Sequence, residues 1–119
     1  LYDSNAYNDD LPYSLKLENE KYIIMPYSFD TNDMRFERSG GFVHANDFSS
    51  YCVGAFDQLL SETKDGSMRM MSIGLHPRII GRPGRINGLE TLLKHIQTIN
   101  SSWVSSRAEI AKSFQALKS

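Results

Sequence analysis

The chain has 119 residues, the length of one modest domain, and its 40% hydrophobic content with 11% aromatics supplies a core, which excludes a disordered tail. Thirteen Lys+Arg against fourteen Asp+Glu leave a formal net charge of −1, without the basic excess that holds nucleic acid or an anionic membrane surface, so neither partner is expected. No run reaches the roughly 18 to 20 apolar residues of a membrane span, the longest candidate being broken at Arg78 and Arg82.

The chain starts at Leu1 rather than methionine, in an apolar-polar run that reads as already inside a fold, so a processed or excerpted piece of something longer is expected. No repeat or low-complexity tract divides it. Leu1-Tyr2 reads as a strand end, and Asn5, Asn8, Asp9, Asp10 and Pro12 as an irregular polar loop. Leu15 and Leu17 alternate with Lys16 and Glu18, Asn19-Glu20 offers a turn, and Tyr22-Ile23-Ile24-Met25 is apolar and partly β-branched, which predicts a short hairpin ended by Pro26.

The period then changes. Phe48, Tyr51, Cys52, Ala55, Phe56, Leu59 and Leu60 lie on one stripe of a helix over 47–63, with Asn46 or Asp47 as N-cap. Lys64-Asp65-Gly66 is a turn, and Met70 to Leu75 reads as a strand buried on both faces that ends at His76. Behind the turn Gly81-Arg82-Pro83-Gly84, the residues Ile86, Leu89, Leu92, Leu93 and Ile96 predict a second helix. Trp103-Val104 reads as a minimal strand. Ser106 and Glu109 form a capping-box pattern ahead of a third helix carrying Ile110, Ala111, Phe114 and Leu117. Alternating helices and strands give an α/β class, yet only three or four strands are visible, so the chain reads as part of a barrel or sheet.

Strand ends at the carboxyl side are where sites gather in parallel α/β folds, which singles out His76. An imidazole there can act as a general acid toward a leaving nitrogen or oxygen, or simply bond a neighbouring carbonyl. His44, in a polar loop, and His95, on a helix, read as solvated. Arg82 and Arg85 flank a tight turn before a helix and can hold a carboxylate, ureide or phosphate, although Arg-Pro-Gly is also ordinary turn chemistry. Asp9, Asp10, Asp30 and Asp33 can serve a metal or acid-base chemistry, but Asp and Asn equally build turns. No zinc spacing, phosphate-binding glycine loop or nucleophile elbow exists, and Cys52 lies on an apolar stripe and reads as core. A lone cysteine fits a reducing compartment, and the cytoplasm is expected.

The segments Tyr2-Asp3-Ser4, Asp9 to Tyr13, Pro26 to Phe36 and Met70 to Arg85 resemble, in this order, the C-terminal part of polysaccharide-deacetylase superfamily enzymes, and among them the allantoinase-like branch. The segment His-Pro-Arg-x-x-Gly-Arg-Pro-Gly-Arg, from His76 to Arg85, is the most specific piece. The resemblance implies a distorted (β/α) barrel with fewer strands than a TIM barrel, of which this chain is the C-terminal part over residues 1–119. It implies hydrolysis of non-peptide C–N bonds, either N-acetyl groups of sugars or the cyclic amide of allantoin. By the same likeness His76 is the motif histidine that protonates the leaving group, Arg78, Arg82 and Arg85 belong to the loop flanking it, and Asp9, Asp10 and Tyr13 belong to a pocket-side loop, with Asp33 as a further substrate-side residue. The family's early motifs, an Asp-Asp pair that supplies the base and a His-x-x-x-His pair that binds metal in the deacetylases, would lie upstream of Leu1. Any divalent metal of the parent protein would therefore take its ligands from outside this chain, and no metal ligand is assigned within it. Pro77 stands where allantoinase-like members often carry cysteine, which leaves the substrate open.

Two functional readings follow. In the first, the chain is the acid-bearing part of a C–N hydrolase that takes a small cyclic amide or ureide, completed by the N-terminal half of the barrel or by a partner chain, in a homo-oligomeric parent. In the second, it is a non-catalytic remnant that binds a ligand or a partner subunit through the arginine loop.

Overall fold

A computed structural model describes residues 2–3, 11–17, 20–25, 28–66 and 68–118. They form two compact units, one from residues 1–27 with 103–119 and the other from residues 28–102.

In the first unit, strands β1 (Tyr2–Asp3), β2 (Tyr13–Leu17) and β3 (Glu20–Ile24) form a sheet in the order β1-β3-β2. The expected hairpin is present, with β2 antiparallel to β3 from Tyr13↔Ile24 to Leu17↔Glu20, and β1 adds in parallel through Tyr2↔Ile23. Met25 follows β3 and is buried. The unit also contains α4 (Arg107–Lys118), where the expected cap forms: Ser106 Oγ accepts the Glu109 N–H at 3.2 Å, and Ala111 is fully buried. Trp103 and Val104 are not a strand. They are 60% and 77% exposed and carry no ladder bond among the described residues; β-propensity without a partner edge does not make a strand.

The second unit is organised on α1 (Ala45–Ser61) and α3 (Ile86–Gln97), with the four-residue α2 (Pro77–Ile80) between them in sequence. Short 3₁₀ turns occupy Asp33–Glu37 and Glu62–Asp65, the latter closed by Gly66 at φ 85°, a left-handed value that disfavours any side chain. Helix α1 begins two residues before the predicted start. His44 is its N-cap, and Asp47, expected at or next to the cap, instead accepts the His44 and Val43 N–H groups with its Oδ2 at 2.7 and 3.0 Å. A carboxylate three positions into a helix can reach back to those orphan donors, which a residue at the cap itself cannot.

The predicted stripes contribute Phe48, Cys52, Leu92 and Ile96 to one core with Phe36, Phe42, Ile79 and Ile80, whereas Tyr51, Ile86 and Leu93, placed on the same stripes, are exposed. Phe36, Phe42 and Phe48 have ring centroids 5.5 to 6.1 Å apart, in edge and stacked arrangements that favour aromatic contacts. Helix α3 approaches α1 at Gly88, where a Cβ would stand 2.4 Å from the Ala45 carbonyl oxygen. Only glycine permits that approach.

The segment Met70 to Leu75 departs from the predicted doubly buried strand. Its one ladder contact is an isolated parallel bridge between Gly74 and Asn32, its residues through Ile73 are half-buried, and Leu75 is exposed. Among the described residues only the 31–33 stretch pairs with it, and a single bridge neither defines a strand nor covers both of its faces. No helix here is long and apolar enough to cross a membrane, among the described residues.

Candidate active site

Two backbone segments meet at that bridge. The Asp33 N–H donates to the Gly74 carbonyl at 2.9 Å, the Gly74 N–H donates to the Thr31 carbonyl at 2.9 Å, and Thr31 Oγ1 donates to the Ser72 carbonyl at 2.6 Å. Asn32, fully buried, caps the 3₁₀ turn: its Oδ1 accepts the Met34 N–H at 2.9 Å and its Nδ2 donates to the Ser28 carbonyl at 3.2 Å. Asp33 is therefore the first residue of a turn fixed on both sides.

Its carboxylate has no solvent exposure and is spent on His76. Oδ2 accepts the His76 backbone N–H at 2.5 Å, and Oδ1 lies 2.6 Å from Nδ1 of the ring. A carboxylate that accepts at both oxygens places the ring proton on Nδ1 and leaves Nε2 uncommitted among the described residues. The His76 side chain is 34% exposed, so the pair combines a buried anchor with an accessible ring. Pro77 starts α2 directly after it, and the Ile79 and Ile80 N–H groups bond the His76 carbonyl at 2.8 and 3.1 Å. Both the backbone and the ring of His76 are thus held.

The arginines separate into two kinds. Arg85 donates to the Ile79 carbonyl at 3.3 Å, approaches Glu37 at 3.8 Å and lies over the Phe36 ring at 4.7 Å. Arg78 and Arg82 have no side-chain hydrogen bond or ion pair among the described residues, and line with Glu37, Val43, Gly84 and Arg85 a shallow, open depression of about 470 Å³. His76 does not line it. Tyr13 is half-buried on β2, in the other unit, and Asp9 and Asp10 lie outside the described residues. Asp33, expected on the substrate side, makes its carboxylate contacts to His76.

His44 is exposed at the start of α1, in line with the solvated reading. His95 is not simply solvated: its Nε2 lies 2.7 Å from Asp57 Oδ1, and its ring meets Phe56 edge-on at a centroid distance of 5.9 Å. The helical period puts Asp57 on the flank of α1 that α3 reaches, and pairing follows from the helix contact rather than from either local sequence. Burial pushes the Cys52 thiol up to about 12, so it stays protonated near neutral pH and is no nucleophile. Among the described residues no three metal-ligating side chains come together.

Sequence reasoning missed Thr31 and Asn32. The signal for Asn32 is local, an Asn ahead of an acidic first-turn residue, whereas the Asp33–His76 contact spans 43 residues and leaves no local trace.

No family model matches the chain. A Schizosaccharomyces pombe protein that carries the name of a polysaccharide deacetylase is 40% identical over 124 aligned positions, covering 97% of this chain and 39% of its own length. A crystal structure from Pseudomonas aeruginosa PAO1, titled as a probable polysaccharide deacetylase, matches with a TM-score of 0.91 at 39% identity, over 97% of this chain and 39% of that one. The crystal structure of Puue Allantoinase matches with a TM-score of 0.92 at 39% identity, over 98% of this chain and 39% of that one. The chain thus spans about two fifths of the length of these relatives, and its fold is part of the polysaccharide-deacetylase barrel. Its sequence aligns with such a relative over 97% of its length and its fold superposes on two such structures, so over this stretch the chain is similar to polysaccharide deacetylases.

Proposed function

We propose that this chain supplies the general-acid side of a hydrolase acting on non-peptide C–N bonds, with the cyclic amide of allantoin or a related ureide as substrate. The observation that supports it is the accessible His76 ring seated on the buried Asp33 carboxylate. Opening an amide requires water to add to the carbonyl carbon, with one water proton passing to a base. The C–N bond then breaks, and the departing nitrogen must take a proton, because an amide anion is a very poor leaving group near neutral pH. In this reading the imidazolium form of His76 gives up the Nε2 proton to that nitrogen, and Asp33 holds the ring through Nδ1 throughout. The base comes from sequence outside this chain, so the 119 residues alone are inactive.

Arg78 and Arg82 carry donors but no proton they can release, which suits them to orienting substrate oxygens. Asp9, Asp10 and Tyr13 are proposed to line the pocket. The parent protein is proposed to be a cytoplasmic homo-oligomer that serves purine catabolism in the allantoinase reading. The names carried by the Schizosaccharomyces pombe and Pseudomonas aeruginosa relatives favour a second reading, removal of acetyl groups from sugar nitrogen, which belongs to carbohydrate metabolism and uses the same proton transfer.

The test is His76→Ala in the full-length protein, assayed on allantoin and on an N-acetylated sugar. The variant is expected to lower kcat by at least about a hundredfold on whichever substrate the parent turns over, with circular dichroism unchanged. His44→Ala and His95→Ala stay close to wild type. Full activity for His76→Ala, or equal losses at all three histidines, removes His76 from the reaction.

A further inference from the structure

We propose that Arg85 is a positioning residue that clamps together the two turns carrying Asp33 and His76, and that its role is separate from that of Arg78 and Arg82. The proposal rests on the reading of the Asp33–His76 pair as the proton-transfer unit. Asp33 opens the 3₁₀ turn Asp33–Glu37, and His76 immediately precedes α2. These are different elements, and among the described residues the pair itself is one direct side-chain link between them.

Arg85 is the other. It starts from a third element, as the N-cap of α3, with its backbone N–H bonded to the Arg82 carbonyl at 2.9 Å. From there its guanidinium lies over Phe36, three residues on from Asp33, at 4.7 Å, while Nη1 donates at 3.3 Å to the carbonyl of Ile79, three residues on from His76. Glu37 Oε1, at 3.8 Å from the same nitrogen, adds charge complementarity on the Asp33 side. One side chain therefore grips both turns one helical turn beyond the two functional residues. Phe36 and Ile79 also share the core, so the clamp closes over packed ground.

The geometry requires arginine. A planar guanidinium can lay its face on a ring while its edge donates in the ring-parallel plane; a lysine ammonium is a point charge that can satisfy Glu37 or the carbonyl but cannot do both while stacked. A catalytic group displaced by about 1 Å can lose about a hundredfold in rate, so a partial loosening of the clamp suffices for a measurable effect.

The experiment compares Arg85→Lys, Arg78→Ala and Arg82→Ala in full-length protein labelled with ¹⁵N-histidine. It reads the hydrogen-bonded Nδ1 proton of His76 by NMR, with His95 as internal reference, alongside kcat and KM. Arg85→Lys is expected to broaden or lose the His76 Nδ1 proton while His95 is unchanged, and to lower kcat about tenfold at constant KM. Arg78→Ala and Arg82→Ala leave the His76 signal in place. Arg85→Lys keeps the positive charge on a stem one atom shorter, at a partly exposed position, and is expected to leave the fold in place; Glu37→Gln, at an exposed position, is expected to give a smaller change of the same kind. The proposal is overturned if Arg85→Lys lowers thermal stability alone with the His76 signal intact, or if Arg78→Ala disturbs that signal as much. Loss of the signal in Arg85→Lys together with full activity in His76→Ala leaves the clamp standing and removes the proposed reaction; an intact signal together with an inactive His76→Ala does the reverse.

Discussion

His76 meets Asp33 at 2.6 Å and His95 meets Asp57 at 2.7 Å, and the two imidazoles are almost equally exposed, at 34% and 31%. The difference lies with the carboxylates. Asp33 has no exposure and also holds the His76 backbone N–H, whereas Asp57 is 52% exposed and bridges side chain to side chain between α1 and α3. The nitrogens differ as well: His76 commits Nδ1 and keeps the outer Nε2, while His95 commits Nε2 itself. A histidine–aspartate distance therefore says little by itself. What makes one pair a candidate for proton transfer is a buried acceptor, a backbone anchor and a free distal nitrogen.

The sharpest way to break this comparison is at the carboxylates. Asp33→Asn presents an amide N–H₂ to Nδ1, which favours the other tautomer and removes a doubly accepting buried group. It is expected to lower kcat by about a hundredfold or more and stability by about 2–3 kcal/mol, read by steady-state kinetics and urea unfolding. A near-wild-type rate with intact folding would show that the buried carboxylate does not orient the acid.

Gly88→Ala tests the helix contact on which both pairs draw. A Cβ 2.4 Å from the Ala45 carbonyl forces α3 off α1, at an overpacking cost of about 1–3 kcal/mol, and should disturb the His95 ring signals in NMR spectra and, through Arg85 at the N-terminus of α3, those of His76 as well. A disturbed His95 with an unmoved His76 would mean that the His76 pair does not depend on where α3 places Arg85. Asp57→Asn is milder: the pair is solvent-screened, and a loss below about 1 kcal/mol is expected in thermal unfolding, with kcat unchanged.

The smallest effect concerns Asp47. Its acceptance of the His44 and Val43 N–H groups holds its carboxyl below the usual value of 3.8. A depressed acid contributes stability that is present above the unfolded-state value and is lost as pH falls through the lower folded-state value. Asp47→Asn should therefore flatten the acid side of the stability–pH curve below about pH 4 and leave neutral pH almost untouched. An acid limb identical to wild type would show that the cap does not titrate with folding.

Periodicity and capping chemistry act within a turn or two, and those parts of the molecule were legible in the residues alone. The stripe from Phe48 to Leu60, the cap at Ser106, the hairpin of β2 with β3 and the turn ending at Gly66 all come from interactions between near neighbours. The segment from His76 to Arg85 carried the family resemblance, because the spacing of His, Pro, Gly and Arg in it is unusual. What stayed out of reach is set by contacts that span tens of residues. Trp103-Val104 and Met70 to Leu75 have strand composition, but strandhood depends on a partner edge that composition does not report. Three arginines that look alike in one loop divide into a clamp and two cations uncommitted among the described residues only when Phe36 and Glu37 arrive from the distant 3₁₀ turn. Likewise Asp33 reads locally as one turn-building aspartate among several, and His76 as a strand-end histidine. Their pairing across 43 residues is decided by the parallel bridge of Asn32 with Gly74, because only the folded chain brings a buried carboxylate under that ring.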